Sequence, residues 1–308
     1  MNQRLTLPTA LLLTVPPLMW AGNAVVGRLV ADLIPPMTLN FLRWVLAFFF
    51  LLPFAWQVLK PASSIWQNWR LYAVLGLLGV GCYNALMYLA LHTSTPLNVT
   101  LVGASMPMWM LATGALFFNQ RITRRQMLGA LLSMAGVLVV LSRGQLAWLA
   151  RIHFVAGDFY MVLASIAWAF YSWLLFQPAG SQPKDAPEIR SNWAAFLMAQ
   201  MVFGLCWSGA LAGGEWVLSY ADSTASITWG WPLVAALLFE SLGPALLAYR
   251  SWGLGVQRVG PAMAGFFSNL TPLIAAVLSA AFLGELPHVY HAAAFVLIAG
   301  GIVVSSRR

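Results

Sequence analysis

Ten apolar runs, each near the length needed to cross a bilayer, follow one another along this chain with only short polar interruptions. Taking Pro, Gly and charge as punctuation, they fall at 6–30, 36–59, 70–91, 97–118, 125–142, 156–177, 193–212, 231–250, 261–283 and 288–305. In hydrocarbon an unpaired backbone N–H or C=O costs several kcal/mol, so each run must close its own hydrogen bonds as a helix. The expected fold is an all-α membrane protein of ten transmembrane helices. Composition leaves little alternative: 61% of the 308 residues are hydrophobic and 8% are charged, against about 25% charged in a soluble domain.

A net charge of +8 would suit a nucleic-acid binder, but the basic residues are scattered singly or in pairs over short loops. No nucleic-acid partner is expected; a lipid bilayer is. With the N-terminus in the cytoplasm, twelve basic residues lie inside: Arg4, Lys60, Arg70, Arg121, Arg124, Arg125, Lys184, Arg190, Arg250, Arg258, Arg307 and Arg308. Four, Arg28, Arg43, Arg143 and Arg151, lie at or toward the outside. That asymmetry follows the positive-inside rule and predicts a multi-pass protein of the bacterial inner membrane with both termini cytoplasmic. Trp66, Trp69, Trp148, Trp216, Trp229 and Trp231 fall at the expected interfaces, whereas Trp20, Trp109 and Trp168 fall mid-span. Arg4 followed by an apolar stretch and Ala21 to Ala24 has the outline of a cleaved leader, but the run continues to Val30 and reads as the first span. Cys82 and Cys206 sit in apolar runs without metal-ligand spacing.

Sliding the chain on itself by 165 residues aligns the fourth and fifth runs with the ninth and tenth without a gap. Pro96 meets Pro261, Pro107 meets Pro272, Phe117 meets Phe282, Gly136 meets Gly301 and Arg143 meets Arg308. A spacing held this long marks an internal repeat, with one copy in 1–143 and the other in 144–308. Five spans per copy is an odd number, so the copies must enter the membrane in opposite directions. The loops agree. Arg121, Arg124 and Arg125 map onto Leu286, Val289 and Tyr290, while Thr93 maps onto Arg258, so the basic residues switch copies and the apolar frame is kept. Inverted repeats of this kind exchange outward-open and inward-open states around a substrate site near the midplane.

Trp20-Ala-Gly-Asn in the first run, Asn40-Phe-Leu-Arg43-Trp in the second, the aligned prolines Pro96 and Pro261, and Leu283-Gly-Glu285 closing the ninth carry a resemblance. They resemble the EamA branch of the drug/metabolite transporter superfamily over essentially the whole chain, and within it the aromatic amino acid exporters of the YddG type. The resemblance implies ten helices in two inverted five-helix repeats and the export of amino acids or other metabolites. Two positions depart from it: Gln120, where a glutamate like Glu285 is typical, and Glu240, in a span expected to be uncharged.

Glu240 lies roughly 13 Å into the membrane from Trp231, where a charged carboxyl costs a few kcal/mol unless protonated, paired or wet. It reads as a proton-coupling group or a partner for a substrate ammonium; a neutral acid bonded across helices is the plainer alternative. Arg43 either snorkels to the outer face or meets a substrate carboxylate. Because the resemblance puts an arginine there whatever the substrate, a structural role is favoured. Mid-membrane rings and amides supply further substrate-binding candidates: Trp20 with Asn23, Tyr83, Asn84 and Tyr88, Trp109, and Trp168 with Tyr171, the i, i+3 pairs sharing a helix face. A cavity so lined would suit flat or amphipathic solutes through stacking and cation–π contact, although any single ring serves equally well as packing. Ser268 and Asn269 add polar candidates just before Pro272. Pro107 and Pro272 are candidate hinges, because a proline frees a backbone carbonyl. His288 and His291, without a carboxylate or cysteine partner, are too few for a metal site.

The leading expectation is a secondary transporter that exports amino acids, aromatic or otherwise amphipathic, or related small molecules by alternating access. The proton gradient is the candidate drive, and neither cofactor nor metal is expected. No Walker-type phosphate loop occurs, so no ATPase partner is implied. A multidrug exporter of cationic amphiphiles, or a non-transporting receptor or assembly factor, would carry the same spans. An intramembrane enzyme is disfavoured, since the chain has no paired membrane aspartates, no serine–histidine or serine–lysine arrangement and no HExxH.

Overall fold

The structure, a computed structural model, describes residues 5–94, 96–145, 155–176, 187–222, 226–283 and 288–306. Among them every apolar run is helical, as self-satisfied backbone bonding in hydrocarbon requires. The first two runs are α1 (Leu7–Leu29) and α2 (Pro36–Ala55), the second extended by a 3-10 turn at Trp56–Leu59. A short α3 (Ser64–Gln67) leads to a third run in three parts: α4 (Trp69–Gly76), π-helical Leu77–Cys82 and α5 (Tyr83–Thr93). The fourth comprises α6 (Pro96–Gly103) and α7 (Met106–Phe117), and then come α8 (Arg124–Leu141) and α9 (Ala156–Leu175). After a short α10 (Pro187–Ser191) lies α11 (Trp193–Asp222), followed by α12 (Trp231–Glu240), π-helical Ser241–Leu247 and α13 (Ala248–Val259). The last elements are α14 (Pro261–Ser268), α15 (Leu270–Leu283) and α16 (Val289–Ser306).

Among the described residues, eight helical stretches are long and apolar enough to cross a membrane. The fourth and ninth runs are each divided into two shorter helices. The breaks fall at Ala104–Ser105 and at Asn269, a few residues ahead of Pro107 and Pro272. Each proline therefore sits in the first turn of a new helix, where its missing N–H leaves nothing unpaired, instead of kinking a continuous one. Trp109 donates its indole N–H to Ser105 Oγ at 2.9 Å beside the first break.

Two helices outrun their expected ends: α11 reaches Asp222 rather than 212, and the eighth run reaches Val259 rather than 250. In α13 the exposed Arg250, Gln257 and Arg258 share the helix with buried Ser251, Trp252, Gly255, Val256 and Val259. Mean hydropathy falls there, but an amphipathic pattern continues the helix.

The chain packs as two compact units, each assembled from distant stretches. The first comprises Met1–Gly22, Leu89–Phe176 and Ser251–Arg308; the second comprises Asn23–Tyr88 and Gln177–Arg250. In the first unit α8 and α16 lie against each other along Gly129, Ser133 and Gly136 on one side and Ala294, Ile298 and Gly301 on the other. A Cβ on Gly129 would stand 2.6 Å from the Gly301 carbonyl oxygen, and one on Gly136 would stand 2.9 Å from the Ala294 oxygen. Small residues at such seams let backbones approach where lipid offers no hydrophobic driving force. Asp158 accepts from Ser94 Oγ and, at 2.9 Å, from the Val155 N–H, tying the start of α9 to the end of α5.

In the second unit α2 begins after Pro35, which offers no side-chain cap. Glu215 of α11 supplies one. Its carboxylate accepts from the N–H groups of Met37 at 2.9 Å and Thr38 at 2.8 Å, and from Thr38 Oγ1 at 2.8 Å. Trp216 donates to the same hydroxyl at 2.9 Å. A carboxylate at a helix N-terminus satisfies otherwise unpaired donors and complements the helix dipole. Glu215→Ala is expected to cost about 1–2 kcal/mol, and Glu215→Gln less. Thermal unfolding in detergent measures this, and an unchanged midpoint for the alanine variant would remove the cap from the stability account.

Candidate functional site

The apolar stripe of α2 runs through Asn40, Arg43, Trp44, Ala47 and Leu51, at helical spacing and all buried. On α12 the stripe is Leu233, Ala236, Leu237 and Glu240. Both stripes pack within the second unit, where Leu39 joins Leu233, Ala236 and Leu237 in one hydrophobic cluster. Two charges ride inward on apolar periodicity, and they meet. Arg43 Nη1 lies 3.2 Å from Glu240 Oε2, with side-chain exposures of 3% and 1%. The same nitrogen donates to Asn23 Oδ1 at 3.3 Å.

Each charge alone would carry a large desolvation cost, and the pair offsets it only through close geometry and full hydrogen bonding. Here the bonding is incomplete. Among the described residues Glu240 Oε1, Arg43 Nε, Trp44 Nε1 and Asn40 Oδ1 are buried without a partner. The centre is thus charge-balanced but holds unused donors and acceptors of both kinds. Trp44 lies 5.6 Å beneath the Arg43 guanidinium and meets Tyr249 edge-on at 5.0 Å. Tyr249 donates its hydroxyl to the Gly79 carbonyl in the π-helical stretch of the third run, where the altered backbone pattern exposes carbonyls.

Of the two alternatives for Arg43, snorkelling does not occur; the side chain turns inward, where Glu240 stands on the facing stripe. Of the other candidates in this unit, Asn84 is buried and Tyr83 half-buried on α5. The side chain of Tyr88 lies outside the described residues, as does Glu285.

The first unit gathers aromatic rings. Trp20 meets Trp168 edge-on at 5.3 Å and Trp252 at 5.5 Å; Trp168 lies 5.6 Å from Trp252 and 5.0 Å from Tyr171. Trp252 donates to Ser172 Oγ at 3.0 Å, and that hydroxyl donates to the Trp168 carbonyl at 2.8 Å. Trp168, Tyr171 and Trp252 are buried and Trp20 is half-buried. The i, i+3 pairing of Trp168 with Tyr171 holds, but the rings pack on one another rather than face open space. Trp252 was not anticipated, because Arg250 reads as the end of its run. Asn269 spends its amide N–H on Ser133 Oγ at 2.9 Å, and Ser268 donates to the Gly265 carbonyl one turn back, so each has a hydrogen-bond partner within this unit. His288 and His291 bond locally, the His288 N–H donating to His291 Nδ1 at 3.0 Å. Among the described residues no three candidate metal ligands gather.

With this geometry in view, the comparisons with known proteins are direct. The model of the EamA-like transporter family matches residues 7–142 and again 155–307. A probable amino-acid metabolite efflux pump of Salmonella typhimurium is 27% identical over 93% of this chain and 90% of its own. The aromatic amino acid exporter YddG of Ancylobacter novellus is 23% identical over 79% of this chain and 78% of its own. An uncharacterized transporter of Archaeoglobus fulgidus is 25% identical over 97% of this chain and 98% of its own. A crystal structure 20% identical in sequence superposes with a TM-score of 0.72 over 96% of each chain, which establishes the likeness of fold. The relatives are named as transporters and exporters, not as enzymes. With helices apolar enough to cross a membrane and a family model matched twice along its length, the chain is a multi-pass membrane protein that belongs to the EamA-like transporter family.

Proposed function

We propose that this protein is a proton-driven secondary exporter of amino acids and related zwitterions, working by alternating access of two inverted five-helix repeats, 1–143 and 144–308. It lies in the bacterial inner membrane with both termini cytoplasmic. The distribution of basic residues supports that orientation. Support for the repeat comes from element bounds that recur at the same offset of 165 residues. It relates α6 to α14, α8 to α16, and the π-helical Leu77–Cys82 to 242–247 of its counterpart. Under that offset the close approach of Gly129 to Gly301 becomes that of Ala294 to Gly136, which also occurs. Reciprocal contacts of this kind are the mark of a two-fold relation. The fourth and ninth runs, each two helices long, then complete ten spans.

The observation that carries the substrate class is the buried Arg43–Glu240 pair with its unused atoms. A zwitterion entering between the two groups trades one ion pair for two, its carboxylate on Arg43 and its ammonium on Glu240. Net charge in the low-dielectric interior does not change, so the exchange avoids the penalty a single charge would meet. A proton on Glu240 removes the partner of the ammonium. Proton and substrate therefore compete for one carboxylate, which is the requirement for exchanging one against the other across the membrane. The names of the Salmonella and Ancylobacter relatives support amino acids over other solutes. A second reading, export of cationic amphiphiles, draws on the aromatic cluster around Trp168.

Efflux of radiolabelled phenylalanine from proteoliposomes tests the proposal, with a cationic dye as the parallel substrate. Acidifying the outer solution is expected to accelerate wild-type efflux, and Glu240→Gln is expected to abolish that response while still inserting and folding. Wild-type protein that moved no amino acid would sink the exporter reading. An unchanged pH response in Glu240→Gln would remove Glu240 from the coupling step.

A further inference from the structure

A cavity of about 390 Å³ opens at one end of the first unit, among the α7–α8 turn, the ends of α9 and α16 and the start of α14. Trp173, Phe176 and Met263 give it an apolar side; Arg121, Arg125 and Gln126 give it a polar one, and among the described residues no acidic one lines it. The basic wall is built on a fixed turn. α7 closes with Asn119 in the left-handed region at φ 57, and the Gln120 N–H returns to the Gly114 carbonyl at 3.0 Å. Thr123 then opens α8 through a capping box: its hydroxyl accepts from the Gln126 N–H at 3.2 Å, while its own N–H donates to Gln126 Oε1 at 2.9 Å. Arg121 is held between two tied ends. With its carboxamide oxygen engaged, Gln126 keeps its amide N–H groups as donors.

The surroundings of the cavity narrow the ligand. Beyond Arg125, α8 carries Leu128 and Leu131 outward, 51% and 46% exposed, and α7 ends on Leu116 and Phe117, 77% and 65% exposed. On a membrane-spanning helix such exposed apolar side chains face acyl chains. Cationic forks at the membrane boundary, beside a face that meets lipid tails, suit a ligand that joins an anionic head to acyl chains. We propose that this cavity holds the phosphate headgroup of an anionic phospholipid, gripped by Arg121 and Arg125 with Gln126 donating, its tails lying along Leu128 and Leu131. The site is independent of the exporter reading and stands or falls separately from it.

Native mass spectrometry of the full-length protein, equilibrated with mixed phosphatidylglycerol and phosphatidylcholine, tests this directly. The wild type is expected to retain phosphatidylglycerol preferentially. Arg121→Ala/Arg125→Ala should weaken that retention about 30-fold, the combined contribution of two arginines near a membrane surface, and leave phosphatidylcholine unchanged. Both side chains are exposed, so the variant should fold, which its thermal midpoint checks. Arg124→Ala, a neighbour that does not line the cavity, should keep the preference. Equal retention by wild type and the double variant overturns the site. An equal loss in Arg124→Ala overturns it too, since diffuse surface charge would then explain the binding. Displacement of the lipid by inorganic phosphate alone would assign the cavity to a free anion and overturn the lipid assignment.

Discussion

Arg43→Met is expected to lower stability by about 3–5 kcal/mol, because it strands the Glu240 carboxylate in the interior without its counter-ion. Glu240→Leu should cost a similar amount by stranding the guanidinium. The informative variant is the double one, Arg43→Met/Glu240→Leu. With both charges replaced by apolar groups of similar volume, the desolvation cost disappears, and stability should return to the wild-type level or above it. Transport of zwitterions should remain abolished. Denaturant unfolding in detergent, paired with the flux assay, measures both. A folded, stable and inactive double variant is the outcome a functional pair requires, for a pair kept only for packing would be replaceable without loss. Stability as poor in the double variant as in the singles would mean that the two residues are not coupled. Active transport by the double variant would end the assignment of substrate binding to this pair.

The seam between α8 and α16 supplies the second large effect. A methyl group added at Gly129 meets the Gly301 carbonyl at 2.6 Å, and one added at Gly301 meets the Gly129 carbonyl at the same distance. Neither obstacle is a side chain that can rotate away; both are backbone, so the helices must separate. Gly129→Ala and Gly301→Ala should each lower stability by about 1–3 kcal/mol. Gly300→Ala is the matched control, one residue along the same helix with nothing within 4 Å of its Cβ position. It should be neutral or slightly stabilising, since alanine exceeds glycine in helix propensity. Equal losses at positions 300 and 301 would show that helix content rather than close approach governs this seam.

Much of the architecture was legible from hydropathy, because the bilayer imposes one rule on every residue that enters it. Leu7–Leu29, Pro36–Ala55, Arg124–Leu141 and Val289–Ser306 lie within a few residues of the runs read from the sequence. Trp66, Trp229 and Trp231, which the sequence assigns to the membrane boundaries, are exposed. The eighth run was cut short for a physical reason: Arg250 and Arg258 lower the local average, while the buried face of α13 carries on past them. Trp252, a central ring of the aromatic cluster, was lost with that segment.

By itself, then, the sequence determined the helical membrane class and the family, and singled out Arg43 and Glu240 as charges set within apolar runs. Each follows from properties that one residue or one helix carries alone: transfer cost and charge. Only the tertiary structure decided that Arg43 faces Glu240 across 197 positions of chain, that Asn269 spends its amide on Ser133, and that Trp20, Trp168 and Trp252 pack as one cluster. Partnership depends on the rotation and approach of helices, which close glycine contacts and the Glu215 cap establish, and no local average of hydropathy contains that information.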